Sequence, residues 1–288
     1  MKRRILQISL SLFLFSIFSL VSVAQAELSI DASSKTAVEL SALSWKSLQT
    51  VPETEDAYAM TSPLASIEAL VANEVDAVLD LLSWIQTNPS PLHREPEAYD
   101  RNKHFGQWIR PAEGDCKNTR AFVLIRDSET PVKFKDSKKC TVVSGKWYDP
   151  YTDAYYMRAD DIQIDHFVPL KHAYLSGAYK WNKQRRCHYA NFMKTELQLR
   201  SSFGDANNSK SDSSPDEWMP ENKDYACQYL AEWFKVKAIW QLSMAKVELA
   251  EMRSYIEEHG CSSSDFKMSV RELQKLREAS SDPINACK

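Results

Sequence analysis

Residues 161–170 read DIQIDHFVPL, and the rest of the interpretation depends on this stretch. Ile162 and Ile164 alternate with polar residues, and a period of two is typical of a β-strand. The pattern therefore predicts a strand over residues 161–168. Pro169 ends the strand, because proline lacks the amide hydrogen needed to continue a ladder.

The predicted strand carries Asp165 and His166 near its end, and further along the chain Asn207 is followed by Lys210. Histidine titrates near neutrality, so it suits a general base. Aspartate and asparagine offer hard oxygens, which suit Mg²⁺ or Mn²⁺. Lys210 would share a helical face with Asn207 and is expected to neutralise phosphate charge. Together these residue types indicate hydrolysis of a phosphodiester.

The alternation of a strand limits what Asp165 and His166 can do together. Neighbouring side chains of a regular strand point to opposite faces. Both residues can reach one cation only if the strand distorts at its end. Otherwise only one of the two is catalytic.

The stretch from Lys171 to Lys210 is locally basic. It holds eight Lys or Arg residues against Glu196 and Asp205, a local charge of +6 in a chain whose net charge is −3. This predicts a surface for nucleic acid, although a charge run can also be a solvated face. Candidate phosphate contacts are Arg185, Arg186 and, from an earlier predicted strand, Arg120, for which a structural ion pair is an equal alternative.

The N-terminus has the features of a cleavable export signal. Three basic residues precede an apolar stretch that runs to Val23, and Ala24-Gln25-Ala26 is a small-x-small cleavage site. An uncleaved membrane anchor is the alternative, but serines within the stretch favour cleavage. We expect residues 1–26 to be removed and the protein to be secreted or periplasmic, with no membrane association afterwards.

All six cysteines lie beyond this signal. An even number in an oxidising compartment predicts disulfides, and the absence of a C-x-x-C pair disfavours structural zinc. Spacing does not determine connectivity. Pairing of sequence neighbours is favoured, as Cys116–Cys140, Cys187–Cys227 and Cys261–Cys287.

The remaining pattern predicts an α+β protein. Residues 28–86 have helical periodicity, and a proline-rich loop then separates an N-terminal helical extension (27–95) from a domain over 96–288. Strands are predicted at 119–126 and 141–147. Long helices are predicted at 225–256 and 264–279.

The ordered residues resemble a known family. The shared residues are Tyr99, Arg101, Trp108, Cys116, Thr119, Arg120, Cys140, Trp147, Asp149, Tyr151, Asp165, His166, Pro169, Asn191, Asn207, Ser209, Lys210, Asp212, Trp218, Cys227, Trp233 and Trp240. They look like the secreted, bacterial-type HNH endonucleases related to the C-terminal domain of GmrSD-type restriction enzymes. The resemblance covers about residues 99–250.

The resemblance implies a ββα-metal (HNH, or His-Me finger) core with a small antiparallel sheet, flanked by N- and C-terminal helices. In it, His166 is the general base, and Asp165 and Asn207 hold one Mg²⁺ or Mn²⁺. Asn191 is a supporting residue that holds a loop or orients His166, and Lys210 also supports the site. 

Two positions depart from the family pattern. Ser211 stands where the family has glycine after the lysine, and this affects the turn that leaves the short helix. Glu196 stands where many HNH proteins have asparagine, and it is either an extra acidic ligand or a surface residue, with the surface interpretation favoured.

The implied activity is that of an exported, metal-dependent endonuclease acting on DNA, with RNA also open, and with little base specificity. Double-stranded DNA is the expected partner. A non-catalytic binding protein with the same fold and a delivered nuclease toxin are the alternatives. The base and both ligand positions are filled, which favours an enzyme.

Overall fold

The computed structural model describes residues 78–84, 87–88 and 98–287, and the predicted export signal and most of the predicted N-terminal extension lie outside these ranges. The described residues form an α+β protein with small sheets and several helices. Within them, no helix is both long enough and apolar enough to cross a bilayer.

The described strands and helices follow one another along the chain. The strands are β1 (Val78–Asp80), β2 (Thr87–Asn88), β3 (Lys133–Phe134), β4 (Val142–Asp149), β5 (Ala154–Arg158), β6 (Ile162–His166), β7 (Leu199–Phe203), β8 (Met244–Ala245) and β9 (Lys267–Ser269). The helices are α1 (Leu81–Trp84), α2 (Arg101–His104), α3 (Thr119–Asp127), α4 (Leu170–Leu175), α5 (Lys183–Ala190), α6 (Gly204–Lys210), α7 (Ala226–Trp240), α8 (Lys246–Glu258) and α9 (Val270–Ser281).

The strand predicted around the Asp-His pair is β6, and it pairs antiparallel with β7. Asp165 lies opposite Arg200 and His166 lies opposite Leu199 in this ladder. Helix α6 follows β7 directly. A second small sheet has the order β3-β4-β5, with β4 antiparallel to both neighbours. 

Two apolar clusters pack around the antiparallel strand pair β6–β7. Ile162, Ile164 and Leu199 pack with α3 and with Trp147 of β4 in one cluster. The larger cluster surrounds α7, whose Trp233 and Trp240 have no exposed area. Phe167, directly after β6, belongs to this larger cluster. The strand pair β6–β7 therefore connects the two clusters.

The predicted strand at 119–126 is wrong, because these residues form helix α3. Its β-branched and aromatic content suggested a strand, but such propensities yield to local capping and tertiary packing. The Asn118 side chain accepts a hydrogen bond from Ala121 N and caps the helix. Trp147 Nε1 donates to Leu124 O at 2.8 Å and holds α3 against β4.

Three other expectations about secondary structure need correction. Residues 78–80, expected to be helical, form β1, which pairs antiparallel with β9. The helix expected over 225–256 is two helices, because Gln241 takes a left-handed conformation that ends α7. The last helix begins at Val270, after the strand β9, rather than at residue 264.

The cysteines form three disulfides. One of the three expected pairings is present, and the other two are not. Cys116–Cys140 is confirmed. Cys187–Cys227 and Cys261–Cys287 are wrong, because the structure has Cys187–Cys287 and Cys227–Cys261. Packing, rather than closeness in sequence, brings the sulfurs of Cys187 and Cys287 together: Cys187 lies on α5, and the segment after α9 returns to it.

A buried ionic cluster joins α4, α7 and α8. Lys237 Nζ, with no exposed area, lies 2.7 Å from His172 Nε2 and 3.4 Å from Glu248 Oε1. Burial acts to raise the pKa of Glu248, but Lys237 and His172 lower it to about 2. Trp233 Nε1 also donates to Glu248 Oε1 at 3.0 Å, so the carboxylate is well satisfied.

Lys237→Met should lower the free energy of unfolding by about 3–5 kcal/mol, because it leaves Glu248 as a buried charge without its cation. Adding Glu248→Gln to that variant should restore part of the loss, since the buried charge is then removed. Lys246→Met, at an exposed position of α8, is the matched control and should change stability by no more than about 0.5 kcal/mol. Urea unfolding measures all three, and equal losses for Lys237→Met and Lys246→Met would contradict the expectation.

Candidate active site

His166 is the last residue of β6, and its imidazole is fixed by the backbone of α5. Its Nε2 lies 3.0 Å from Ala190 O. A carbonyl oxygen only accepts hydrogen bonds, so Nε2 carries the hydrogen. Nδ1 is then the basic nitrogen, and it has no hydrogen-bond partner among the described residues. This tautomer leaves one defined atom that can accept a proton.

The imidazole of His166 is neutral over a wide pH range. Burial lowers the pKa of His166 to about 4, and the positive charges of Arg101 and Lys210 act in the same direction. The Ala190 carbonyl and Asp165 oppose this shift. At neutral pH the side chain is therefore in the form that a general base requires.

Trp108 covers one face of this imidazole. The two rings are nearly parallel, with an interplanar angle of 3° and centroids 5.1 Å apart. Trp108 lies far from His166 in the sequence, in an irregular segment between α2 and α3. No local pattern indicated its role, and only the family resemblance marked the residue at all.

Asn191 holds the segment that carries Trp108. Its side chain is 1 % exposed and uses both the oxygen and the nitrogen of its amide. The four partners are Gln107 O (3.4 Å), Ile109 N (3.1 Å), Thr119 Oγ1 (2.7 Å) and Cys187 O (3.0 Å). Since Gln107 and Ile109 flank Trp108, these bonds fix the backbone on both sides of the indole.

Asp165, next to His166, lies in a different environment. Its Oδ1 accepts from Lys210 Nζ and its Oδ2 from the Tyr151 hydroxyl, each at 2.7 Å. Lys210 Nζ also donates to His166 O at 3.1 Å. The β6–β7 ladder continues in register through His166, and the two neighbouring side chains contact separate groups. 

Lys210 therefore does not lie where it was expected. It has no exposed area, so in this conformation it does not contact a phosphate. Burial lowers the pKa of Lys210, and Asp165 opposes that shift. Its ammonium instead joins the end of α6 to β6.

Asn207 lies on α6, one helical turn before Lys210, and faces Gln163 rather than Asp165. Its Nδ2 donates to Gln163 Oε1 at 2.7 Å. Gln163 Nε2 in turn donates to Asn208 Oδ1 at 3.1 Å. The bond to Gln163 orients the Asn207 amide, and its Oδ1 accepts no hydrogen bond from the described residues.

The oxygens of Asp165 and Asn207 suit a hard divalent cation in their chemistry. A carboxylate has about four lone-pair positions, of which Lys210 and Tyr151 use two. Asn207 Oδ1 accepts no hydrogen bond from the part of the chain that the structure describes. Within the described ranges, no group of three or more His, Cys, Asp or Glu side chains is arranged to hold a metal ion. Water or substrate would therefore complete the shell, as is common for Mg²⁺.

Arg120 and Arg186 were expected to contact phosphate, but in the structure both bind other parts of the protein. Arg120 donates to Ala159 O at 2.9 Å and Ile162 O at 2.7 Å, and so ties α3 to the start of β6. Arg186 donates to His104 O at 3.0 Å and to Trp181 O. Both guanidinium groups thus bind backbone carbonyls within the fold.

Three more cations of the basic stretch contact other residues of the fold. Arg185 packs over the Trp181 ring at 4.6 Å. Arg200 pairs with Glu232 at 2.7 Å. Lys171 pairs with Asp212 at 2.6 Å. Lys180, Lys183 and Lys194 of the basic stretch remain exposed, and Glu196 is exposed, as a surface residue would be.

Comparisons with known proteins agree with the resemblance described above. The sequence model described as "GmrSD restriction endonucleases, C-terminal domain" matches residues 123–254. A protein of Arthroderma benhamiae named "Uncharacterized secreted protein" is 38 % identical over 176 residues, which are 61 % of this chain and 81 % of that protein. No solved structure matches.

Ser211, which stands in place of the family's glycine, has a conformation that favours glycine. Its φ is 51° and its ψ is −124°, directly after the last residue of α6. Ser213 N donates to Lys210 O at 3.0 Å, so Ser211 is the second residue of a tight turn. A side chain in such a conformation is strained.

Ser211→Gly should therefore raise the free energy of unfolding by about 1 kcal/mol, because it removes this strain. Ser213→Gly is the matched control: its φ is not positive, so glycine there should only add freedom to the unfolded chain. Thermal unfolding compares the two variants. A loss of stability in Ser211→Gly as large as that in Ser213→Gly would contradict the interpretation.

The lowered pKa of His166 also predicts how stability depends on pH. Below about pH 6.5 the unfolded chain takes up a proton at this residue, whereas the folded protein does not until about pH 4. Stability is therefore lost as the pH falls through this window, by up to roughly 3 kcal/mol from His166. Unfolding in EDTA between pH 7 and 4 should show a shallower loss in His166→Asn than in the wild type. Parallel curves would show that the pKa of His166 is the same in the folded protein as in the unfolded chain.

Proposed function

Because this chain belongs to the family of the C-terminal domain of GmrSD restriction endonucleases, we propose that it is an exported, metal-dependent endonuclease. It hydrolyses phosphodiester bonds of nucleic acid, with double-stranded DNA as its principal substrate and with little base specificity. The observation that carries the proposal is the state of His166: neutral, with Nε2 bonded to Ala190 O and with Nδ1 lacking a hydrogen-bond partner among the described residues.

In the proposed reaction, His166 Nδ1 removes a proton from a water molecule. The water oxygen forms a bond to phosphorus while the bond from phosphorus to the leaving ester oxygen breaks. Trp108 and the Ala190 carbonyl prevent the imidazole from turning, so Nδ1 keeps one direction. A base that is already oriented needs no reorganisation during the reaction.

Asp165 and Asn207 are the residues that would hold one Mg²⁺ or Mn²⁺, in a ββα-metal core formed by β6, β7 and α6. When bound, such a cation stabilises negative charge on the phosphate and on the leaving oxygen. Gln163 supports this assignment, since its contact with the Asn207 amide nitrogen leaves the amide oxygen available. Lys210 and Tyr151 hold the Asp165 carboxylate in place.

Export is the other part of the proposal. The apolar N-terminal segment with its small-x-small site supports it, as do three disulfides among the described residues. The relative from Arthroderma benhamiae is named a secreted protein. Removal of residues 1–26 would leave a mature chain that starts at Glu27.

A protein that binds nucleic acid without cleaving it is the second candidate. One observation favours it: Asp165 and His166 are only 3 % and 7 % exposed. In that case Asp165 and His166 would contribute only to the stability of the fold. The wild type would then cleave no nucleic acid, and substitution of either residue would change only stability.

The direct test is incubation of the mature protein with supercoiled plasmid and with RNA, with EDTA and with added Mg²⁺ or Mn²⁺. We expect cleavage that stops in EDTA and returns with either cation. His166→Ala should lower the rate by about 10²–10⁴-fold, as expected for loss of a general base. Asn207→Ala should be partly rescued by excess Mg²⁺, because it weakens the cation site.

His259→Ala is the matched control, since His259 is exposed and lies at the end of α8. It should cleave at the wild-type rate. Full activity in EDTA would contradict metal dependence, and wild-type cleavage by His166→Ala would show that His166 is not the base. Binding of plasmid without any cleavage would favour the second candidate.

A further inference from the structure

Arg101 is an exposed cation next to the candidate active site, and neither the chemistry nor the scaffold described so far uses it. It is the first residue of α2. Its guanidinium carbon lies 5.8 Å from the centre of the Trp108 ring. It donates no side-chain hydrogen bond and forms no ion pair with any described residue. All five of its N–H donors are therefore available to a ligand.

Arg101, Trp108 and His166 are close together in one corner of the fold. Trp108 contacts both of the others, through ring stacking on His166 and through the guanidinium of Arg101. The charge of Arg101 is also close enough to act on the imidazole. A ligand held by Arg101 would therefore lie beside the general base of the proposed reaction.

The position of Trp108, and with it this corner, is rigid. Asn191 binds the backbone on both sides of the indole. Cys116 lies in the same irregular segment, and its disulfide with Cys140 joins this segment to the chain two residues before β4. A cation–π contact with a fixed indole restricts the guanidinium, so less freedom is lost when a ligand binds.

Four other cations that the sequence placed at or near the site are engaged within the fold. Lys210 pairs with Asp165 and has no exposed area. Lys171 pairs with Asp212. Arg120 and Arg186 bind backbone carbonyls. Of these cations, Arg101 alone combines exposure, free donors and closeness to His166.

We propose that Arg101 is a phosphate-binding residue that holds the nucleic-acid backbone beside His166, and that Trp108 positions its guanidinium. The inference rests on the proposed function for the identity of the ligand. A guanidinium binds a phosphate through two parallel hydrogen bonds, which fixes orientation as well as charge. Arg101 is thus a substrate-positioning residue rather than part of the proton transfer.

The test measures binding separately from cleavage. Fluorescence anisotropy with a labelled DNA duplex, in EDTA and across a salt series, is applied to the protein as exported. Arg101→Gln should raise Kd by about tenfold. It should also lower the slope of log K against log salt by about 0.9, the effect of one phosphate contact. Arg101→Lys should restore the slope but only part of the affinity, since it keeps the charge and loses the paired donors.

Lys103→Gln is the matched control. Lys103 is exposed on the same short helix, two residues away, and residues at that spacing do not share a helical face. It removes the same charge, so a general electrostatic effect would appear equally in both variants. Trp108→Leu should weaken binding by a smaller factor than Arg101→Gln, because the charge remains and only its position is lost.

The outcomes separate this inference from the proposed function. Equal Kd values and equal salt slopes for Arg101→Gln and Lys103→Gln would overturn the role of Arg101, and so would failure of the wild type to bind the duplex. Loss of binding in Arg101→Gln together with no cleavage by the wild type in Mg²⁺ would support the phosphate site and overturn the proposed enzyme. Where cleavage occurs, Arg101→Gln should raise KM with little change in kcat.

Discussion

The buried ion pair between Lys210 and Asp165 is the interaction on which the candidate site depends. The ammonium of Lys210 has no exposed area, and it binds both the Asp165 carboxylate and the carbonyl of His166. An uncompensated charge in that position would be strongly destabilising, so neither residue can be lost alone without a large penalty. The pair holds the end of α6 against β6, and this brings Asn207 next to Gln163. It thereby determines the relative position of the helix and the strand from which the candidate residues come.

The alternation of β6 divides the candidate site into two environments. Gln163 and Asp165 contact α6, whereas His166 contacts Ala190 and Trp108. The ladder with β7 stays in register, so the strand itself does not bring Asp165 and His166 to one point. In the proposed mechanism this separation is useful, because the base and the cation ligands act on different atoms of the reaction. The base needs only its free Nδ1, and the carboxylate needs only its remaining lone pairs.

The cations of the chain show why charge along a sequence is a poor guide to a binding surface. A long side chain can place its charge on a carbonyl or a carboxylate inside the fold as readily as on a ligand. Arg186 and Arg200 do so, and the resulting bonds hold helices and strands together. Arg101, outside the basic stretch, is exposed on a short helix and donates no side-chain hydrogen bond to the described residues. The surface charge that matters to a ligand is the charge left after internal pairing.

The sequence by itself determined the strand at β6 and the helical character of the C-terminal region, because each follows from a local period of apolar residues. It determined strand β4 through the β-branched and aromatic residues of that segment. It also determined that the cysteines pair, and through ordered motifs it marked Asp165, His166, Asn191 and Asn207. It misassigned α3, because β-branched residues favour a strand only where packing agrees, and here the Asn118 cap and the contact with Trp147 decide.

Only the tertiary structure decided which residues contact one another. Disulfide connectivity depends on which helices lie side by side, and spacing carries no information about that. The tautomer of His166 depends on a carbonyl of α5, and the burial of Lys210 depends on how α6 packs on β6. Trp108 stacks on His166 and contacts Arg101, and Asn191, from another part of the chain, binds the backbone around the indole. These are contacts between residues distant in sequence, and no local pattern specifies them, because a period describes one element while a site is made where several elements meet.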